Sequence, residues 1–122
     1  MPEYIYFDLE SARKLLPWLR DKLKRLQDLK AEVDELMDYG DRQQLVQYTA
    51  EIKKIIEEIT HKGVIIRDIE MGLVDFPAII NDRPAFLCWK IDEDDIYYWH
   101  YTEEGFRGRK PIGNGENILS YT

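Results

Sequence analysis

Apolar residues recur every three or four positions through the first half of the chain and then crowd into short β-branched and aromatic runs. That change of period divides the sequence. Ala12, Leu16, Leu19, Leu23, Leu26, Val33 and Met37 hold a heptad seam of the coiled-coil kind, broken only where Lys30 takes a seam position. Leu9, Leu15, Leu29 and Leu36 widen it into a stripe that a globular core can use. Asp8 is the predicted N-cap, with Glu10 in the first turn where the helix dipole favours negative charge. Pro17 falls inside the pattern. It removes the bond to the Arg13 carbonyl, which costs about 3 kcal/mol in a regular helix. Leu16 is a poor cap for a fresh start, so one helix kinked at Pro17 is expected. Gly40 is the expected left-handed C-cap and Asp41 the next N-cap. Leu45, Tyr48, Ile52, Ile55 and Ile59 then make a second seam, which Gly63 stops. A short loop between two such helices makes them antiparallel neighbours.

The second half reads as strands. Residues 64–69, 73–80, 83–91 and 96–101 are four strand candidates, separated by the turn Glu70-Met71-Gly72, the tight turn Asn81-Asp82 and the acidic turn 92–95. Residues 118–121 are a candidate terminal strand, and residues 4–7 a short edge strand or packed arm. If Asn81-Asp82 is a two-residue loop, Val74 opposes Trp89 and Asp75 opposes Cys88. If Ile91 and Ile96 close the acidic turn, Cys88 opposes Trp99 and Leu87 opposes His100. Period two then puts Val74, Phe76, Ala85, Leu87, Trp89, Ile96, Tyr98 and His100 on one face. Asp75, Pro77, Phe86, Cys88, Lys90, Tyr97, Trp99 and Tyr101 occupy the other. The helices cover one face, so the second needs the tail, a partner or a ligand.

The fold expected is therefore α+β: an antiparallel two-helix hairpin packed on a mainly antiparallel sheet of about four strands, in a single domain. Residues 1–62 form the hairpin and residues 63–122 the sheet and C-terminal tail. The helices look too long for the sheet. Residues 9–37 span roughly 44 Å as a helix, whereas seven-residue strands span roughly 23 Å. The surplus apolar stripe points to packing on a second copy, a homodimer.

Charge and cysteine usage narrow the function classes. The formal charge of −7 disfavours a nucleic-acid partner, because such binding needs Lys and Arg to neutralise phosphates. Residues 63–122 carry only 6 basic side chains against 11 acidic ones, so the sheet half repels polyanions most. A single Cys fits a reducing cytosol. There is no signal-peptide pattern and no apolar run of the ~18 residues a membrane helix needs. A soluble cytoplasmic protein is expected, with no membrane partner.

Most of the reactive side chains lie in residues 72–111. His100 is the best titratable candidate. With Glu103 or Glu104 it could ligate a metal, or act as a base oriented by a carboxylate; a hydrogen-bonded His at a strand end is the commoner outcome. Asp75 lies between Val74 and Phe76 in a central strand. It is either a pocket acid with a raised pKa or one half of an ion pair with Arg109, Arg107 or Lys90. The register above puts it on the face opposite His100. Gly105-Phe106-Arg107-Gly108-Arg109 is a candidate anion loop, in which Arg107 and Arg109, with the Trp99 ring nearby, would meet a carboxylate or phosphate. Cys88, between Leu87 and Trp89, reads as an inert buried thiol. The acidic turn lacks the Gly and later Glu of a calcium loop, and reads as solvated.

Several blocks, F-D-L-E-S-A-R-K-L-L-P-W-L, K-G-V-I-I-R-D-I-E-M-G-L-V-D-F-P, L-C-W-K, Y-W-H and G-F-R-G-R-K-P, together resemble the prokaryotic domain-of-unknown-function 2203 family, in that family's order. The resemblance implies a small prokaryotic cytoplasmic protein and supplies no catalytic residues or cofactor. The chain departs from the pattern at Asp92-Glu93-Asp94, where Gly-Glu-Pro is usual, and at Tyr101, where an acid is common. The favoured expectation is a self-associating interaction or assembly module. The alternative is a small-molecule- or metal-binding enzyme whose candidate catalytic residues are Asp75, His100 and Glu103.

Overall fold

The computed structural model describes residues 4–113 and 115–119. Asp8 starts the first helix through a reciprocal cap. Its carboxylate accepts from the Ser11 amide at 2.8 Å, and the Ser11 hydroxyl accepts from the Asp8 amide at 3.0 Å. Helix α1 then runs over Leu9–Tyr39 as one helix with Pro17 inside it. Pro17 and Arg13 are both exposed, so the disturbed turn lies on the solvent side. Gly40 ends the helix in an extended conformation (φ −87°, ψ 170°), not the left-handed one expected. Space is what requires glycine there, since a Cβ would sit 2.4 Å from the Leu36 side chain. Asp41 caps α2, Arg42–His61, by accepting from the Gln43 amide at 2.8 Å.

The sheet is antiparallel throughout. Its strands are β1 (Ile65–Asp68), β2 (Leu73–Ile80), β3 (Arg83–Lys90), β4 (Tyr98–Tyr101), β5 (Lys110–Pro111) and β6 (Ile118–Leu119). They lie in the order β1-β2-β3-β4-β5, and β6 pairs with the far end of β2. The expected terminal strand is thus present at Ile118–Leu119, while Ser120 and Tyr121 fall outside the described residues. The N-terminal stretch is an arm. The Phe7 amide donates to the Pro77 carbonyl at 2.8 Å and its ring stands edge-on to Phe76 at 5.2 Å.

The β2–β3 register is the expected one, with Val74 opposite Trp89 and Asp75 opposite Cys88. Asn81 and Asp82 form the two-residue turn at φ 55° and 64°, the left-handed pair that matches strand twist. The β3–β4 register is shifted by one from expectation. Leu87 faces Trp99, Phe86 faces His100 and Cys88 faces Tyr98. Ile91 and Ile96 do not close a hairpin, because β4 starts only at Tyr98. The segment between follows its own hydrogen bonds: the Lys90 amide to Glu93 Oε1, the Trp89 indole to the Glu93 carbonyl and the Ile96 amide to Asp95 Oδ1. One residue of slip exchanges faces. Trp99 and Tyr101 join the face of Phe76, Leu87 and Trp89, while His100 and Tyr98 join Asp75, Phe86 and Cys88.

The helices cover the first of these faces. Leu16, Leu19, Leu23, Leu26 and Leu29 of α1, with Ile55 and Ile59 of α2, form one core with Phe76, Leu87, Trp89 and Trp99. Each buried Leu contributes about 1.5–3 kcal/mol relative to exposure. Burial of α1 stops at Leu29 and that of α2 begins at Ile55, so the described residues of the hairpin tip add nothing to the buried core. Among the described residues, no helix is long and apolar enough to cross a membrane.

Candidate functional site

The face turned away from the helices carries the polar chemistry. Leu73, Asp75, Phe86, Cys88 and His100 are buried there yet stand outside the main core. Residues 102–109 fold over part of this face through a 3-10 turn at Phe106–Gly108. The remaining opening is a pocket of about 340 Å³ lined by Asp75, Cys88, His100, Arg67, Glu104 and Phe106, with Leu73, Thr102 and Gly105.

Asp75 lies at its floor, 2% exposed. Its Oδ2 accepts from Arg67 Nε at 2.8 Å and its Oδ1 faces His100 Nε2 at 3.2 Å. A buried carboxylate needs such partners, because leaving it unpaired costs several kcal/mol. Arg67 arrives from β1, where the register shifts between Ile66 and Asp68 and leaves it as the unpaired bulge residue. Its guanidinium lies 5.1 Å over the Phe86 ring.

His100 Nδ1 lies 2.8 Å from the Tyr101 carbonyl, an acceptor, so Nδ1 carries a proton. Burial works against the imidazolium. The Asp75 carboxylate and the Tyr101 and Glu104 carbonyls outweigh it, and His100 titrates above its ordinary value. Both ring nitrogens are engaged by protein, so neither is free to take a proton from a pocket ligand. Burial, and then the Asp75 charge, push the Cys88 thiol up to about 12. It is therefore no nucleophile at neutral pH. The ligand atoms of Asp75, Cys88 and His100 all lie within 4.8 Å of one another.

The other sequence candidates are distributed elsewhere. Glu104 lines the pocket, accepting from the Tyr101 amide at 3.0 Å and from Lys110. Glu103 is exposed and pairs with Arg83, so a His100–Glu103–Glu104 metal set does not assemble. Trp99 lies on the helix-covered face, its indole donating to Glu116 at 3.2 Å. Arg107 is exposed. Arg109 pairs with Glu93 and stacks 3.8 Å from the Tyr98 ring centre, so the anion loop is tied down internally. The partner of Asp75 is Arg67, not Arg109, Arg107 or Lys90. The acidic turn is not merely solvated either: Asp95 accepts from Arg13 and the Glu93 carbonyl from Arg20.

Asp75 and His100 thus share a site that the expected register had separated. Arg67 and Cys88 belong to it without having been candidates. A signal for Arg67 existed in V-I-I-R-D-I, where a lone cation interrupts a β-branched run one strand away from a buried acid.

A family model described as Uncharacterized conserved protein (DUF2203) matches residues 5–112, and the chain belongs to that family. No curated protein and no solved structure matches it.

Proposed function

We propose that this family member is a cytoplasmic small-ligand-binding protein, which takes a carboxylate- or phosphate-bearing metabolite in the pocket over the uncovered face of its sheet. One observation carries the reading. Arg67 gives only its Nε to Asp75; its side chain stays 44% exposed at the pocket, and among the described residues its two Nη groups hold no hydrogen bond. A guanidinium fixed at one edge and open at the other suits an anion, and the exposed Phe106 ring in the lining of the same pocket offers an apolar surface. The role is binding. Cys88 is held protonated and His100 has no nitrogen to spare, which speaks against nucleophilic or acid–base turnover through either.

A thermal-shift screen of carboxylate and phosphate metabolites tests this. A ligand at a hundred times its Kd stabilises by about 2.7 kcal/mol, or roughly 10 °C in a domain of this size. Arg67→Gln should weaken the hit about 10- to 100-fold, and Arg107→Gln should leave it unchanged. If no metabolite shifts the wild-type protein, or Arg67→Gln binds as well, the reading fails.

A second reading, self-association into a homodimer, is favoured by the hairpin tip. Met37 and Val46 are 70% and 62% exposed there, past the last core position of α1 and before the first of α2. Light scattering at micromolar concentration should give twice the chain mass, and Met37→Glu with Val46→Glu should halve it. A wild-type monomer would end this reading.

A further inference from the structure

We propose that Asp75 Oδ1, Cys88 Sγ and His100 Nε2 form a three-ligand site for a borderline-soft divalent cation of the zinc class, with a fourth position open to the pocket. The inference rests on the pocket reading only for what fills that fourth position.

The ligand set is the first argument. One carboxylate, one thiolate and one imidazole suit zinc, cobalt or ferrous iron; magnesium and calcium require mostly oxygen. Geometry is the second. In a tetrahedral zinc site, ligand atoms lie roughly 3.3 to 3.6 Å apart at normal bond lengths. The His100 Nε2–Asp75 Oδ1 edge is 3.2 Å, and one ligand atom from each of the three residues lies within 4.8 Å of those of the other two. Small side-chain rotations would bring the remaining edges to that length.

The contacts behind the ligands are the third argument, and they are independent of the first two. A histidine ligand typically donates its other ring N–H to a carbonyl or carboxylate, which fixes the ring and the tautomer. His100 Nδ1 does this with the Tyr101 carbonyl at 2.8 Å, leaving Nε2 turned inward. A carboxylate ligand is typically held through its other oxygen. Arg67 Nε holds Asp75 Oδ2 at 2.8 Å and leaves Oδ1 facing the cluster. Both supports are present, and all three ligand residues line the same pocket.

Charge is consistent with this assignment. The Asp75 carboxylate and the Cys88 thiolate together neutralise a dication. On binding, the His100 Nε2 proton and the Cys88 thiol proton leave to solvent, since a coordinating thiol is deprotonated outright.

Cobalt(II) added to the full chain, purified in the presence of a chelator, provides the test. The expected result is one cobalt per chain and a thiolate-to-cobalt charge-transfer band, both removed by competing zinc. The chain has a single cysteine, so the band can report only Cys88. Cys88→Ser should abolish it, His100→Gln should weaken cobalt binding by at least about 10- to 100-fold, and Glu103→Gln should change nothing. A folded wild-type protein without the band overturns the site, and so does a band that survives His100→Gln at unchanged affinity. If a variant fails to fold, the wild-type spectrum still decides. A metabolite that stabilises the chelated protein while no band forms sinks the metal site and keeps the pocket reading. A band with no metabolite binding does the reverse.

Discussion

Asp75 Oδ1 and His100 Nε2 lie 3.2 Å apart, with side chains only 3% and 4% exposed, although 25 residues separate them in the chain. Asp75 sits mid-strand in β2 and His100 in β4, with β3 between them. The contact therefore reads out the pairing of three strands at once. Any shift by one residue would turn one partner to the other face.

The cluster should make Asp75 far more consequential than the exposed acids nearby. Asp75→Ala removes the acceptor of Arg67 and His100 and should destabilise by about 2–4 kcal/mol, because it leaves the buried His100 ring without its charged partner. Glu103→Gln breaks a pair whose side chains are both more than half exposed and should cost under about 1 kcal/mol. Urea unfolding of both variants measures the contrast. Equal effects would mean that Asp75 is not the organising acceptor of this face.

Glu93 should prove the most sensitive residue of the acidic turn. Its Oε1 accepts from the Lys90 amide at 2.9 Å, and its carboxylate holds an Arg109 that is 11% exposed. Glu93→Ala leaves that guanidinium without its counter-charge between the Tyr98 and Phe106 rings, and should cost about 2–4 kcal/mol. Amide hydrogen exchange across residues 91–97 should accelerate together with it. Exchange that stays slow would show that the segment is held by something other than Glu93.

A local pH effect belongs to the first helix. The Ser11 amide hydrogen bond holds the Asp8 carboxyl below its ordinary value. The stabilisation is then fully present above about pH 4, the unfolded value, and is lost as pH falls through the depressed folded value. Asp8→Ala should cost about 1 kcal/mol at neutral pH, and the gap to wild type should narrow below pH 4. Asp8→Asn keeps a cap and should show little of this pH dependence. Thermal unfolding of the three proteins between about pH 2.5 and 7 decides it, and a gap of constant width would sink the assignment.

How much was legible in advance depended on how local the determining chemistry was. The two helices follow from their heptad seams and from Asp8 and Asp41, whose capping bonds stay within three residues. The β2–β3 register follows from Asn81-Asp82, where two left-handed residues leave one way to close the turn. Asp75 and His100 could be singled out because a carboxylate and an imidazole in apolar strands demand partners. Trp99, Arg107, Arg109 and Glu103 could be picked out by residue type alone, and each lies away from the cluster.

The sequence by itself therefore determined the α+β architecture, the hairpin and the central strand pair, because short-range hydrogen bonds and periodicity specify them. Only the tertiary structure decided that Asp75 meets His100. The 91–97 segment is positioned by residues distant in the chain: Arg13 on Asp95, Arg20 on the Glu93 carbonyl and Arg109 on the Glu93 carboxylate. Those contacts fix how many residues the segment takes up before β4 begins pairing. With side chains alternating every residue, a count of one decides which face receives His100.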